Sequence, residues 1–516
     1  MRKRFGLIAV IAAIAVLVGV PVVSTGGAST GDSKRYLVVF EGDYAVDGTY
    51  AVESTYAVLC NYAVTGTYAV GGNYAVGCNY AVTPAYAVYA VAHDYAVSLV
   101  QAAGGTVAND HLSQIGVLAV DSPNALFADL MRTYAVVQEV GEDYAPSRVP
   151  DGGPEQTTDP LEAPQWGMAQ IQAPEAHGIQ AGSRRVDVGI LDTGIDGAHL
   201  DFQDVLGGGT NVDCARGHDS VGTLPTGVAV SNPVPCVDNG FHGTHVAGIV
   251  AAQANGHGVV GVAPNVTLVP VKVCDSSGFC YASAVVDGIT YAGDEKLDVI
   301  NMSFFVDDDS FQASTEFKCT TDPKQRAFRK AVERAIQYAR NQGVTPVAAL
   351  GNSDVDLANP PAGNNCDVVP AETPGVIGTA ALGNRAQKAS YSNYGTGATD
   401  VAAPGGTSTG DPRTGVFSTF PGNTWAAISG TSMASPHAAG VAALIISQFG
   451  TLGADGDVKL SPTTVESILQ GTTVDQGISG YDECFGNGRI NALRAVQKQT
   501  SKVYDASAPF CPEYGE

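Results

Sequence analysis

Three short motifs contain residue types that together could carry out chemistry. Asp192 lies in an Asp-Thr-Gly motif, His242 in His-Gly-Thr-His, and Ser432 in Gly-Thr-Ser-Met-Ala-Ser-Pro-His. A serine hydroxyl is a weak nucleophile at neutral pH. It needs a base within hydrogen-bond reach, and the base needs a third group to fix its tautomer. An acid, an imidazole and a hydroxyl, each among small residues, therefore indicate a nucleophilic hydrolase.

Each motif alone also fits another class of site. Asp-Thr-Gly occurs in aspartic proteases, but those need a second such arm, which this chain lacks. His242 and His245 could suggest a metal site, although the zinc pattern has a glutamate after the first histidine and a spacing of four. The Ser432 motif nearly matches Gly-x-Ser-x-Gly, whose enzymes need a histidine well downstream, and only His437 follows. We therefore favour the triad order Asp192, His242, Ser432, with His245 as a structural helix residue.

Composition limits the classes of partner. The chain has 516 residues, of which 45% are hydrophobic and 15% charged, with a net charge of -24 and a pI of about 4.6. Such an acidic protein is not expected to bind nucleic acid or an anionic membrane surface. One large catalytic domain with a smaller companion suits this length.

The N-terminus predicts export. Basic residues at positions 2–4 precede an apolar run over residues 5–20, and Gly26-Gly27-Ala28 offers a cleavage site. This pattern is typical of a secretory signal peptide, so we expect an extracellular protein without stable membrane association. An uncleaved membrane anchor is the alternative.

The cysteines fit an oxidising compartment, where local disulfides are expected. Sequence does not fix their connectivity, and none has the Cys-x-x-Cys spacing of zinc sites. The ten cysteines fall as neighbours along the chain: Cys60/Cys78, Cys214/Cys236, Cys274/Cys280, Cys319/Cys366 and Cys484/Cys511.

A repeat follows the signal segment. Tyr-Ala-Val occurs ten times between Tyr44 and Val97, and eight copies begin six residues apart. On a strand, an even step would place every tyrosine on one face, so a small β-solenoid is one interpretation. We favour a low-complexity expansion on which nothing depends.

Around the repeat, the patterns predict a small domain. Strands are expected at residues 35–40, 115–121 and 136–141. A helix is expected from Ser122-Pro123, where a cap precedes a proline, to about Arg132. Residues 146–164 are rich in Pro, Gly, Asp and Thr and predict an exposed linker.

From Trp166 the chain alternates between strands and helices. Such alternation predicts a parallel sheet covered by helices on both faces. Asp192 would end a strand, where open α/β sheets carry their sites, and Ser432 would begin a helix. Strands are expected at 186–191, 266–273, 299–304 and 344–350, and helices at 242–252, 283–291, 324–341 and 432–449.

These motifs resemble those of the subtilisin-like serine proteases (subtilases), in particular the secreted, disulfide-containing proteinase K-like type. The resemblance covers residues 165 to about 498 and includes Gly486-Asn487-Gly488-Arg489-Ile490-Asn491-Ala492 near its end. It implies an α/β fold with a subtilisin-like, mostly parallel sheet, helices on both faces and a small α+β propeptide domain in front. It also implies the triad, and an oxyanion-hole role for Asn352 together with the Ser432 backbone N–H.

The resemblance implies a division of the chain. Residues 1–28 would be a signal peptide, 29–145 an inhibitory propeptide with the repeat inserted at 44–97, and 146–164 a linker. Residues 165–498 would be the peptidase domain and 499–516 a tail. The propeptide would act as an intramolecular inhibitor that the enzyme removes by cutting between Tyr144 and Ala163.

Substrate-binding residues are also implied by the resemblance. Phe305 stands where the family commonly has a small glycine, and with Leu350 it would narrow the first specificity pocket. We therefore expect a small residue before the scissile bond, which a peptide-library digest would test. The expected substrate-binding residues are Gly278, Ser303, Phe304, Phe305, Leu350 and Gly351.

No cofactor is required for this chemistry, but the family binds calcium. Asp201 stands at the position of a common ligand, so it is the expected site of one structural calcium ion. The expected partners are protein or peptide substrates and the chain's own propeptide, and the expected state is a monomer. A pseudo-protease that only binds, with Phe305 blocking the pocket, and a surface adhesin built on the repeat are the alternatives.

Overall fold

The computed structural model describes most of the chain outside its N-terminal segment and the repeat. The described residues are 33–42, 91–145, 147–148, 155–156, 165–204, 209–224, 234–304, 322–360, 367–409, 411–453, 456–506 and 511. The expected signal peptide and the first nine copies of Tyr-Ala-Val lie outside this part, except for Val91 at the end of the ninth.

A small α+β domain (the N-terminal domain) comes first, as expected. Its elements are β1 (Lys34–Phe40), α1 (His93–Ala102), β2 (Thr106–His111), α2 (Leu112–Ile115), β3 (Val117–Ser122), α3 (Phe127–Arg132) and β4 (Val137–Glu142). The strands form an antiparallel sheet in the order β2-β3-β1-β4. Alternate residues of β1 point to opposite faces: Val38 and Phe40 pack with α1 and α3, whereas Leu37 and Val39 face the rest of the protein.

Two details of this domain differ from the sequence prediction. Helix α3 begins at Phe127, because Ser122 still belongs to β3 and the Asn124 side chain accepts the N–H of Leu126 at 3.1 Å in a local turn. The last copy of the repeat, Tyr95-Ala96-Val97, lies within α1, and Ala96 is buried in the domain core.

Two short strands of the connecting segment pair with the large domain that follows. Strand β5 (Ser147–Arg148) is antiparallel to β10 (Phe279–Cys280), and β6 (Glu155–Gln156) is antiparallel to β16 (Thr424–Ile428). The connecting chain is therefore held as extended backbone at two places on the large domain.

The large domain contains a seven-stranded sheet, and every pair of neighbouring strands in it is parallel. The order is β14-β13-β12-β11-β7-β9-β8. Its strands are β7 (Asp187–Asp192), β8 (His218–Asp219), β9 (Thr267–Lys272), β11 (Val299–Met302), β12 (Thr345–Ala349), β13 (Ile377–Leu382) and β14 (Val401–Pro404). The prediction of a parallel α/β sheet is confirmed.

Helices cover both faces of this sheet. The helices of the described chain are α4 (Trp166–Gln170), α5 (Ala173–His177), α6 (His242–Ala251), α7 (Ala282–Asp294), α8 (Pro323–Asn341), α9 (Thr431–Phe449), α10 (Pro462–Gly471) and α11 (Ala492–Val496). Ile190 and Val299 pack in one core cluster with α6 and α9, whereas Leu191 and Ile300 pack in the other with α7 and α8. Burial of both faces explains why every residue of β7 is buried.

The sequence did not indicate the smaller elements. Strand β15 (Val416–Phe420) forms a hairpin with β16, and β17 (Thr451–Leu452) pairs with β18 (Val458–Lys459).

Three of the expected disulfides are present: Cys214–Cys236, Cys274–Cys280 and Cys484–Cys511. The cysteines of the other two expected pairs, Cys60/Cys78 and Cys319/Cys366, lie outside the described residues.

The N-terminal domain packs on α7 and α8. Leu37, Val39 and Val117 belong to the same buried apolar cluster as Phe328 and Ala331 of α8. The outer face of the small sheet is therefore covered by the large domain. Within the described residues, no helix is both long and apolar enough to cross a membrane.

Candidate active site

The three motifs come together at the ends of three elements. Asp192 is the last residue of β7, His242 the first of α6, and Ser432 the second of α9. His242 Nδ1 lies 2.9 Å from both carboxylate oxygens of Asp192, and both side chains are buried. The carboxylate can therefore hold the proton on Nδ1 and leave Nε2 as the basic nitrogen.

Glycines allow the aspartate loop and the histidine helix to approach closely. Gly194 has φ of +111°, and a Cβ there would lie 2.7 Å from the carbonyl oxygen of Val237. A Cβ on Gly243 would lie 2.1 Å from the carbonyl oxygen of Gly194. A side chain at either position would separate Asp192 from His242, which explains the small residues in both motifs.

Sequence reasoning missed Asp238, which ties these two motifs together. Its buried carboxylate accepts the Thr193 hydroxyl at 2.8 Å, the Gly240 N–H at 2.9 Å, and both the N–H and hydroxyl of Thr244 at 2.8 and 2.7 Å. Burial raises the pKa of Asp238, an effect opposed by these hydrogen bonds. In the sequence, Asp238 is visible only as an acid four residues before His242. The sequence does not show which groups its carboxylate contacts.

Ser432 lies in the first turn of α9, with its hydroxyl turned toward β11. Its Oγ donates to the carbonyl oxygen of Ser303 at 3.0 Å. In the described part of the chain, His242 Nε2 has no hydrogen-bond partner. Catalytic hydrogen bonds often tighten only when substrate binds, so the lack of a Ser432–His242 hydrogen bond here does not argue against the expected triad.

A buried polar network fixes the start of α9 against the end of β11. Ser303 Oγ donates to the Ser432 carbonyl at 2.8 Å and accepts from Asn301 Nδ2 at 2.8 Å. Ser435 Oγ donates to Asn301 Oδ1 at 2.7 Å. Ser303, expected to bind substrate, therefore uses its hydroxyl to hold the main chain of Ser432.

Asn352 lies against the same helix start. Its side-chain oxygen accepts the backbone N–H of Thr431 at 2.8 Å and the Thr431 hydroxyl at 2.9 Å. A backbone N–H can only donate, so the acceptor must be the amide oxygen, and the amide N–H₂ is left to donate elsewhere. A Cβ on Gly430 would lie 3.5 Å from this amide nitrogen, so the donor is close to the chain just before Ser432.

The remaining expected pocket residues are spread over several environments. Phe304 and Leu350 are buried in the core cluster that includes α7 and α8. Gly351, with φ of +106°, connects Leu350 to Asn352, and Gly278, with φ of +83°, immediately precedes β10. Phe305 lies outside the described residues, so a preference for a small residue stays a prediction.

The other histidines of the motifs are buried and held neutral. Burial lowers the pKa of His245 to about 3 and that of His437 to about 4. His245 Nε2 donates to the Ala426 carbonyl at 3.1 Å, and His437 Nδ1 to the Met433 carbonyl at 2.7 Å. Within the described residues, no group of three or more His, Cys, Asp or Glu could hold a metal.

Asp201, the expected calcium ligand, lies in a short 3-10 helix (Leu200–Phe202) and is fully buried. Its Oδ2 accepts the indole N–H of Trp425 at 2.8 Å and the N–H of Val259 at 2.9 Å. Its Oδ1 has no hydrogen-bond partner in the described structure. One free oxygen falls well short of the six to eight that Ca²⁺ takes, and Asn255 Nδ2 already donates to the nearby Leu200 carbonyl at 2.8 Å. The described residues around Asp201 thus do not form a calcium shell, and a structural calcium ion at this site stays a prediction.

Known proteins resemble the chain over the large domain. A sequence model of the subtilase family of peptidases (Peptidase_S8) matches residues 183–488. Subtilisin DY from Bacillus licheniformis is 37% identical over 332 residues, which cover 64% of this chain and 98% of that protein. Thermitase from Thermoactinomyces vulgaris is 34% identical over 335 residues, which cover 64% of this chain and 96% of that protein.

Solved structures share the fold. The epidermin leader peptide processing serine protease from Staphylococcus aureus matches with a TM-score of 0.64 at 18% identity, over 92% of this chain and 100% of that one. A lanthipeptide protease matches with a TM-score of 0.52 at 24% identity, over 64% of this chain and 93% of that one. The family match covers more than half of the chain and contains the buried Asp–His pair and the serine at the helix start. The chain therefore belongs to the subtilase family and is a serine-type endopeptidase with a subtilisin-like fold.

Proposed function

We propose that this endopeptidase is secreted, cuts peptide bonds with Asp192, His242 and Ser432, and removes its own N-terminal domain. The observation that carries the proposal is the buried Asp192–His242 pair, with His242 Nδ1 at 2.9 Å from both carboxylate oxygens. Its substrates would be proteins or peptides that bind as extended chains.

The triad would act through an acyl-enzyme. Ser432 Oγ leaves the Ser303 carbonyl and attacks the substrate carbonyl carbon while its proton passes to His242 Nε2. The imidazolium then gives this proton to the leaving amine, the C–N bond breaks, and an ester to Ser432 remains. A water molecule, deprotonated by His242, hydrolyses the ester and restores the serine. Asp192 stays ionised and holds the imidazole by Nδ1–H.

The oxyanion of each tetrahedral intermediate would be bound by two donors. One is the amide N–H₂ of Asn352, whose oxygen is held by Thr431. The other is the backbone N–H of Ser432, which lies in the first turn of α9, where helix N–H groups lack intrahelical partners.

The connecting segment supports self-processing. Backbone pairing holds Ser147–Arg148 on β10, and Glu155–Gln156 on β16, the strand that leads directly to the Ser432 motif. A substrate bound across the site would be held in this way on both sides of the bond that is cut. We therefore place the processing cleavage between Arg148 and Glu155, inside the interval expected from the sequence.

The N-terminal domain would inhibit the enzyme until it leaves. Its sheet packs on α7 and α8, and the Asp143 carboxylate, just after β4, accepts the N–H of Ser283 at 3.0 Å at the start of α7. These contacts hold the end of β4 next to the start of α7, and Ser147–Arg148 pairs with β10 five residues further along the chain. A domain docked in this way would block access for other substrates.

Export is supported by two features of the chain. The first is the basic and apolar N-terminal pattern, and the second is the set of disulfides, which form in oxidising compartments.

The test compares the secreted wild-type chain with Ser432→Ala by intact mass and N-terminal sequencing. We expect the wild type to begin between residues 149 and 155 and the variant to retain its N-terminal domain. If both forms stay uncut, self-processing is wrong. If both are cut at the same bond, another protease performs the step.

A further inference from the structure

One arginine of the peptidase domain is inserted into the N-terminal domain. Arg334, in the middle of α8, is only 8% exposed. Its Nη1 donates to the carbonyl oxygens of Phe40 at 2.9 Å and Ile115 at 3.1 Å. Its Nη2 donates to the carbonyl oxygen of Gly42 at 3.1 Å and to Gln138 Oε1 at 3.0 Å. All four acceptors belong to the N-terminal domain.

Three of these acceptors are backbone carbonyls at or just beyond the ends of elements of the small domain. Phe40 ends β1, Gly42 follows it, and Ile115 is the last residue of α2. Carbonyls at the ends of strands and helices need partners from outside the element. A planar guanidinium, with several N–H groups fixed in one plane, can serve several of them at once.

Two other ion pairs between the two domains are more exposed, whereas a third, between His111 and Asp287 at 3.0 Å, is nearly as buried as Arg334, with side chains 13% and 9% exposed. Arg326 pairs with Glu139 at 2.9 Å, and their side chains are 31% and 22% exposed. Lys324 lies 3.8 Å from Glu142, with exposures of 45% and 31%. Exposed pairs contribute little to stability because water and salt screen them. Removing Arg334, by contrast, would take away its donors from these buried carbonyls, and a buried acceptor left unsatisfied costs more than an average hydrogen bond contributes.

We infer that Arg334 is an anchor that retains the N-terminal domain on the peptidase domain after the connecting chain is cut, beside the buried His111–Asp287 pair. The partner it recognises is the group of carbonyl oxygens at the ends of β1 and α2. The release step rests on the proposed self-processing, whereas docking before the cut does not.

The first experiment therefore uses the full chain with Ser432→Ala, in which no self-cleavage occurs. Amide hydrogen exchange is compared in this background for Arg334→Met and for Lys330→Met. Lys330 is the matched control, because it lies on the same helix and its ion pair, with Glu333 at 3.7 Å, stays within α8. We expect Arg334→Met to speed exchange in β1 and β3 by at least about tenfold, and Lys330→Met to leave it unchanged.

Exchange in β7 reports whether the peptidase domain is folded. If Arg334→Met lacks protection there, Arg334→Lys replaces it, because lysine keeps the charge but donates from a single nitrogen. We expect an intermediate increase for this variant. If Arg334→Met, or Arg334→Lys where it replaces it, exchanges β1 and β3 amides no faster than Lys330→Met, the inference is overturned.

The second experiment uses chains with Ser432 intact. It follows over time both the appearance of the cleaved chain on a gel and the hydrolysis of a peptide substrate. We expect Arg334→Met to be cut as in the parent but to become active on the order of tenfold sooner after the cut. An unchanged delay would overturn the anchor role after cleavage. If the parent is never cut, self-processing fails, and the exchange experiment still decides whether Arg334 holds the domain.

Discussion

Thr193 and Asp238 are joined by a buried hydrogen bond of 2.8 Å from hydroxyl to carboxylate. The same hydroxyl accepts the backbone N–H of Gly243 at 3.0 Å. Thr193 follows Asp192 and Gly243 follows His242, so one side chain links the neighbours of both members of the acid–base pair. The orientation of the pair therefore depends on a residue outside the triad.

The variant Thr193→Val tests the hydrogen-bond link that the Thr193 hydroxyl makes between Asp238 and Gly243. Valine has the shape of threonine but leaves the Gly243 N–H without its acceptor and Asp238 without one of its donors. We expect a loss of about 1–3 kcal/mol of stability and a fall in kcat on the order of tenfold with little change in KM. Thr193→Ser keeps the hydroxyl and should restore both. Full activity in the valine variant would show that the link is unnecessary.

Asn352→Ala is expected to lower kcat and leave KM nearly unchanged, because the amide would bind the oxyanion only as it forms. The expected loss is about 10²–10³-fold, a size taken from the corresponding donor in subtilisin. Thr431→Val, which removes one of the two donors to the Asn352 oxygen, should cause a smaller loss. Steady-state kinetics on a peptide measure both, and a change in KM alone would contradict the oxyanion role.

Acidification is expected to destabilise the protein through His437. Burial depresses its pKa from 6.5 to about 4, so the folded state prefers the neutral ring. The stability that this group contributes is complete above pH 6.5 and is lost as the pH falls toward 4, with a slope of at most about 1.4 kcal/mol per pH unit.

Melting temperatures of the Ser432→Ala chain at pH 7 and pH 5 measure this effect. His437→Gln, which can still donate to the Met433 carbonyl, should show a smaller drop between the two pH values. The exposed His257→Gln serves as the control. An equal drop in all three proteins would mean that other groups cause the acid sensitivity.

Removal of residues 50–85, most of the repeat, is expected to leave processing unchanged. Among the described residues, the core of the N-terminal domain is formed by β1 and by residues that follow the deleted segment, such as Ala96, Leu99 and Val100. The rate at which the cut band appears is the measurement. Failure of the shortened chain to mature would show that the repeat has a role in docking or folding.

Asp201→Ala is expected to lower the melting temperature with or without a chelator, because the Trp425 and Val259 N–H groups lose their acceptor. The expected cost is about 2–5 kcal/mol. A role through calcium alone predicts a different result, namely that the variant and the wild type melt together once calcium is removed.

The sequence predicted the elements that carry the triad, because their signals are local. The apolar run before Asp192, the small-residue helix after His242 and the long apolar helix after Ser432 each indicate one element and its end. The observed bounds, Asp187–Asp192, His242–Ala251 and Thr431–Phe449, lie within a residue of the prediction.

Contacts between distant residues could not be predicted in this way. Asp238 meets Thr193 across 45 positions, and Arg334 meets Phe40 across 294. In the sequence, Arg334 is one of several basic residues on an amphipathic helix, and only the packing of the small sheet shows that it is buried. The hairpin of β15 and β16 was also missed, because its role depends on a partner strand from the connecting segment.

Strands β5 and β6 belong to the same chain as the strands they pair with, and this sets the reaction order of the proposed cleavage. A bond presented by its own molecule is cut in a unimolecular step, so its half-time does not depend on protein concentration. Dilution would slow the later cleavage of other proteins, but it would not slow the cleavage of the enzyme's own connecting segment. Each molecule would therefore mature independently of its neighbours.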